Sequence, residues 1–145
     1  MNLRYLTYAM ALFSATAVLA HQGVNNPVVK ARMDAMGSIA ENMKTLGQMA
    51  KGETRFDSGL AKQAALEIAE HAAVTPTLFE ANETDPKSEA RSEIWMEFED
   101  FTAKALELEM IALELSKSIS SKEDLGPAMQ SLGGNCKSCH SIYRN

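Results

Sequence analysis

The sequence predicts an all-α protein whose four long helices form an antiparallel up-down-up-down four-helix bundle. Three observations favour this fold. Four segments place apolar residues on one helical face, no segment alternates apolar and polar residues as a strand would, and four prolines separate the segments. Most connections between the predicted helices are short, which favours antiparallel packing of helices that follow one another in sequence. An open bundle with a mobile first helix is the competing architecture.

The first helix is predicted to run from Pro27 to about Lys51, because proline suits the first helical position and Gly52 is a stop signal. Ile39 and Leu46 widen its apolar stripe, which we expect to be buried. The stripe itself advances in alternating steps of four and three residues through Val29, Met33, Met36, Ala40, Met43, Gly47 and Ala50.

The second helix is predicted to start near Asp57 or Ser58, either of which can cap a helix, and to end before Pro76. Its apolar face is thin and rich in alanine, which allows close contact between helices. That face contains Leu60, Ala61, Ala64, Ala65, Ile68 and Ala72. The polar residues 81–92 then form the longest linker.

The third helix, predicted from about Ser92 with Ser88 as an alternative cap, has the most regular apolar pattern. Its positions are Ile94, Phe98, Phe101, Ala105, Leu108, Ala112, Leu115 and Ile119. The fourth helix should begin with Gly126 as its cap and Pro127 in its first turn. We expect its inner face to carry Met129, Leu132, Cys136, Cys139, His140 and Tyr143.

The N-terminal residues predict a secretory signal peptide at 1–20, followed by a single mature domain at 21–145. Arg4 precedes an apolar run that ends in small residues and fits cleavage after Ala20, which leaves His21 as the new N-terminus. The run is too short for a membrane span. We therefore expect a periplasmic protein that keeps no stable membrane span after processing.

Charge and motif content exclude several classes of function. The formal net charge is −5, and it becomes more negative when Arg4 is removed, so nothing favours a nucleic-acid partner. The sequence shows no paired carboxylates, no serine–histidine arrangement and no phosphate loop. We expect a protein that is not an enzyme.

The motif CKSCH near the end of the chain carries the chemistry. Residues i, i+3 and i+4 of a helix share a face, so Cys136, Cys139 and His140 should point the same way. Two thiols one turn apart can each add to a vinyl group of haem, and the next imidazole then lies under the iron. This spacing predicts one covalent haem c, held by two thioethers, with His140 as the proximal ligand.

Other interpretations of the motif are weaker. A structural zinc site would lack a fourth ligand, a thioredoxin-like CxxC needs a βαβ context, and a Cys136–Cys139 disulfide would cross-link almost nothing. Gly133 and Gly134 precede the motif. They are expected to leave room for the macrocycle or for a neighbouring helix, or merely to end a short helix.

Three stretches give the chain a resemblance to cytochrome c′ and its low-spin relatives: "VVKARMDAM", "EIW" and "CKSCHSIYR". The resemblance covers essentially the whole mature length. It implies that Arg32 reaches the haem propionates and that Arg144 lies beside the proximal face. Trp95 matches a bundle aromatic that either fills the core or contacts haem. Family members often pair through their first two helices, so a homodimer is plausible.

The resemblance also separates two functions. One branch of the family leaves the distal face of the iron open and binds NO or CO, whereas the other supplies a methionine and carries electrons. Met36 matches that distal position, and Met33 should lie at the same level. Met43 and Met49 are expected to lie too far along the helix, and Met96 to face away.

We therefore expect a one-electron carrier with unidentified redox partner proteins and with His140 and Met36 as iron ligands. A five-coordinate protein that binds NO or CO is the alternative, and a thiol or metal module without haem is a third possibility. Bis-histidine ligation through His71 is a minor rival.

Overall fold

The structure, a computed structural model, describes residues 23–145. The predicted signal peptide, its cleavage site and His21 lie outside the described residues. The helices are α1 (Pro27–Lys51), α2 (Ser58–Leu78), the single turn α3 (Glu93–Met96), α4 (Phe98–Ser118) and α5 (Leu125–Tyr143), with a 3-10 turn at Lys122–Asp124.

The four long helices pack as the predicted antiparallel four-helix bundle. Both α1 and α4 contact α2 and α5, so the order around the bundle is α1, α2, α4, α5. The open-bundle alternative is wrong, because α1 packs against two neighbours. Between residues 23 and 145, no helix has the length and apolar character needed to cross a membrane.

Helix α1 has the predicted ends. The Asn26 side chain accepts the N–H groups of Val28 and Val29 at 2.9 and 3.2 Å, which caps the first turn. At the other end, Gly52 adopts a left-handed φ of 77° and its N–H closes the last turn.

The buried face of α1 differs from the predicted stripe. The residues buried there are Val29, Arg32, Ala35, Ile39, Leu46 and Met49. Met33, Met36 and Met43 are half-buried and Ala40 is exposed. These four residues line a large cavity, and Met36 and Met43 also pack against the edge of the core, which is why the regular stripe does not mark the most buried positions.

Helix α2 continues two residues past Pro76, so the predicted end was wrong. Proline lacks only one N–H, and the turn after it is closed by the N–H groups of Phe79 and Glu80, which donate to the carbonyls of Pro76 and Thr77. The alanine face is buried as predicted, except for Leu60, which is exposed.

The predicted third helix is broken at Glu97, where φ is −124° and ψ is 42°. Before the break lies α3. Here Ile94 is buried and the indole N–H of Trp95 donates to the Phe79 carbonyl at 2.8 Å. After the break, α4 carries the predicted apolar positions into the core.

Helix α5 starts at Leu125, two residues before the predicted first helical residue Pro127, so Gly126 lies inside the helix and does not cap it. The Asp124 carboxylate instead accepts the N–H groups of Ser120 and Ser121 and fixes the preceding turn. Pro127 lies in the first turn, as predicted.

Two hydrophobic clusters fill the bundle. The larger one joins the middles of α1, α2, α4 and α5. The smaller one lies at one end and comprises Phe79, Ile94, Phe101 and Tyr143. In it the Phe101 ring lies 4.9 Å from Phe79 and meets Tyr143 edge-on at 5.4 Å. This aromatic cluster forms part of the wall of the cavity described next.

Candidate functional site

A cavity of about 660 Å³ opens between α1, α4, α5 and the linker that precedes α3. Its volume is within the range of about 300–1,000 Å³ that is typical of ligand and cofactor sites. Its lining includes all three residues of the sequence motif, Cys136, Cys139 and His140. The walls are mostly apolar, and α1 contributes the stripe of methionines.

The motif lies on α5 as its spacing predicts. Cys136 and Cys139 are half-buried free thiols, and His140 is exposed while also bordering the cavity. Burial raises the pKa of Cys136 and raises the pKa of Cys139 to about 11, so both thiols are protonated at neutral pH. Partial burial of its ring, together with the charge of Arg144, lowers the pKa of His140. The imidazole is therefore neutral and has a nitrogen lone pair available.

These residues fit a covalently attached haem. Two thiols and an imidazole of the CxxCH type border one apolar cavity large enough for a cofactor. The rival metal site finds no support, because residues 23–145 contain no group of three or more His, Cys, Asp or Glu side chains placed to hold a metal ion. The thiols are not joined in a disulfide.

Three methionines of α1 face the cavity: Met33, Met36 and Met43. Met43 borders the cavity although it lies further along α1 than Met36, because the cavity extends along the helix. Met49 is buried in the core and Met96 is 70% exposed, so neither borders the cavity. Met36 remains a candidate distal ligand, with Met33 and Met43 beside it.

Arg32 borders the cavity, yet its guanidinium is already engaged. Its three nitrogens donate to the carbonyls of Leu78, Ala81 and Glu83, which ties down the chain after α2. The guanidinium also lies over the Phe79 ring at 4.5 Å. Burial lowers its pKa, and the charge of Glu83 opposes that effect. Since a guanidinium has five N–H groups, two remain for a propionate.

Two other predicted residues lie outside the cavity. Trp95 packs in the aromatic cluster, with Arg32 at 5.4 Å from its ring, and it does not border the cavity. His71 does not border it either, because α2 turns Ala72 and Thr75 toward it. The arrangement therefore favours the role of Trp95 as a core aromatic, and it removes His71 as a candidate ligand.

Arg144 borders the cavity together with His140. It pairs with Glu89, a residue that the sequence did not single out. Tyr143 is buried, and its hydroxyl donates to Asp100 at 2.7 Å and lies 3.2 Å from a Glu97 oxygen. Burial and these two carboxylates raise the pKa of Tyr143. These contacts join residues distant in sequence, so no local pattern could have revealed them.

The surroundings of Gly133 and Gly134, which precede the motif, differ from those expected. A Cβ added at Gly133 or Gly134 would meet no atom within 4 Å, so no neighbouring helix approaches there. Neither glycine borders the cavity. At the cavity itself, the open position is Gly37, directly after Met36, where an added Cβ would also meet nothing.

Comparisons with known proteins agree with this geometry. The sequence model of the family Cytochrome C′ matches residues 27–144. Cytochrome c-556 of Agrobacterium tumefaciens (strain B2A) is 36% identical over 117 residues, covering 80% of this chain and 95% of that protein.

Two solved structures share the fold. Cytochrome c′ from Rhodopseudomonas palustris superimposes with a TM-score of 0.77 at 27% identity, covering 83% of this chain and 97% of that one. An NMR-validated structure of oxidized cytochrome c556 from R. palustris gives a TM-score of 0.75 at 27% identity, over 82% and 96% of the two chains.

Proposed function

Since the chain belongs to the cytochrome c′ family and carries haem c, we propose that it is an exported one-electron carrier with His140 as proximal and Met36 as distal iron ligand. The observation that carries the proposal is a single cavity lined by the α5 motif and by Met36 of α1.

Each part of the site has a role that follows from its chemistry. Haem supplies one-electron chemistry when it is bound. Cys136 and Cys139 hold it by thioether bonds, so that it cannot dissociate. His140 and Met36 provide nitrogen and sulfur ligands, a set that favours a high reduction potential. The apolar side chains that α1 and α4 contribute lower the polarity around the site.

A second candidate function is the binding of a small gas at the distal face. Gly37 leaves open space next to Met36, and Met33 and Met43 can fill the cavity wall without ligating iron. In that arrangement Met36 is only a lid, and the protein binds NO or CO.

The absorption spectrum of the purified protein decides between the two functions. With sulfur and imidazole as ligands, we expect low-spin iron in both oxidation states, a weak band near the red end in the oxidised protein, and slow or absent CO binding. A high-spin spectrum with rapid CO uptake would contradict electron transfer and support gas binding as the function. A colourless protein would support the thiol or metal module.

Export is the part of the proposal that concerns the compartment. It predicts that the mature protein begins at His21, because cleavage after Ala20 removes the signal peptide. N-terminal sequencing of the protein from its native host checks this. An intact Met1 would contradict both the export and the periplasmic location.

A homodimer is also part of the proposal, through the first two helices as the family resemblance suggests. Helix α2 exposes Leu60 at 53% and Val74 at 48%, which gives it apolar surface for such a contact. The redox partners are proteins that remain to be identified.

A further inference from the structure

The linker before α3 is held directly against the end of α5. The Arg91 N–H donates to the Tyr143 carbonyl at 3.0 Å, and the Asn145 N–H donates to the Glu89 carbonyl at 2.9 Å. Between them, Ala90 and Arg144 form an isolated antiparallel bridge. These backbone bonds fix Glu89 beside the last turn of α5, which carries His140.

The side chains at this junction form an ion pair at the edge of the cavity. The Glu89 carboxylate accepts from Nε of Arg144 at 2.6 Å and from a terminal guanidinium nitrogen at 2.5 Å. Glu89, Arg144 and His140 all border the cavity. Both contacts fall on one carboxylate oxygen, Oε2 of Glu89.

The two charges have opposite signs and lie at the same edge of the cavity as His140. Near a haem in this cavity, a cation disfavours added positive charge and an anion favours it. The hydrogen-bond partner of the Glu89 carboxylate is Arg144, so Glu89 acts on the proximal ligand through its charge.

We propose that Glu89 and Arg144 are an opposed charge pair, held at the edge of the haem cavity beside His140, that sets the reduction potential. The inference rests on the proposed function, because it requires His140 on the iron. A negative charge near the ring favours the more positive, oxidised iron and lowers the potential. A positive charge at the same place raises it.

Stability alone is a poor explanation for this pair. Its side chains are 53% and 58% exposed, and an exposed ion pair adds little to the free energy of folding. The backbone bonds of residues 89, 91 and 145 already hold the linker in place without it. The position of both charges at the edge of the cavity fits an effect on the haem instead.

The test compares charge-neutral variants of the holoprotein by spectroelectrochemical titration. Glu89→Gln should shift the equilibrium toward reduced iron by about three- to tenfold, which raises the potential by about 28–59 mV at 59 mV per tenfold. Arg144→Gln should shift it in the opposite direction. Glu80→Gln is the matched control, because Glu80 is an exposed carboxylate near the start of the same linker that does not border the cavity.

Each outcome is decisive. Opposite shifts for the two variants, both larger than the shift for Glu80→Gln, would support the proposal. Glu89→Asp keeps the charge and should stay close to the unmutated potential, so it separates a charge effect from damage to the linker. If Glu89→Gln and Arg144→Gln shift the potential no more than Glu80→Gln while the spectrum stays unchanged, the inference is overturned and the proposed function stands. If His140→Ala leaves the axial ligation unchanged, the proposed function itself fails.

Discussion

Changing both Cys136 and Cys139 to serine is expected to abolish covalent haem attachment completely. Both thiols border the cavity, and neither is joined in a disulfide. Serine hydroxyls do not form thioethers, so the variant retains no bound pigment after denaturation. Mass spectrometry of the denatured protein should show the mass of one haem in the unmutated chain and none in the variant. Acid–acetone should extract no pigment from the unmutated protein.

Lys137→Ala is the matched control for this experiment. Lys137 lies between the two cysteines on α5, is exposed and does not border the cavity, so its loss should leave attachment intact. Each single cysteine variant should keep one thioether and still hold haem. Haem mass on the double serine variant, or its absence from the unmutated protein, would refute covalent attachment through this motif.

The parts of the fold that local chemistry determines were predictable from the sequence. Pro27 and Gly52 marked the ends of α1 because one fixes φ and the other tolerates a left-handed conformation. The CxxCH motif was predictable for the same reason, since i, i+3 and i+4 spacing within one helix places its groups on one face. No tertiary information was needed for either prediction.

The buried face of α1 shows where this reasoning stops. A stripe at four and three residue steps identifies an apolar face, but it does not say whether that face meets another helix or a cavity. Met33, Met36 and Met43 face the cavity, while Met49 packs in the core. For the same reason, the sequence could not tell that Met43 shares the cavity with Met36.

The linker was the least predictable part of the site. Its residues are polar, and partners distant in sequence hold them in place. Arg32 binds the chain after α2, and the last residues of α5 bind residues 89–91. The sequence placed Arg32 and Arg144 near haem by resemblance alone. The structure adds that Arg32 donates three hydrogen bonds to backbone carbonyls, and that Arg144 pairs with Glu89.

Changing Met36 to alanine should convert a low-spin, six-coordinate protein into a high-spin protein that binds CO or NO readily. The thioether sulfur of Met36 is lost, and Gly37 beside it already leaves open space at the cavity. The change also removes packing, and truncation of a buried methionine costs about 2–5 kcal/mol of folding free energy. Because Met36 is only half-buried, we expect the lower end of that range.

Met43→Ala is the matched control, because Met43 is also half-buried on α1 and borders the same cavity. It should cost similar stability by circular dichroism and leave the iron low-spin. If Met43→Ala or Met33→Ala produces the high-spin form and Met36→Ala does not, the distal ligand is a different methionine of the same wall. If the unmutated protein already binds CO quickly and Met36→Ala only speeds it, Met36 is a lid over an open coordination site. The gas-binding function would then replace electron transfer.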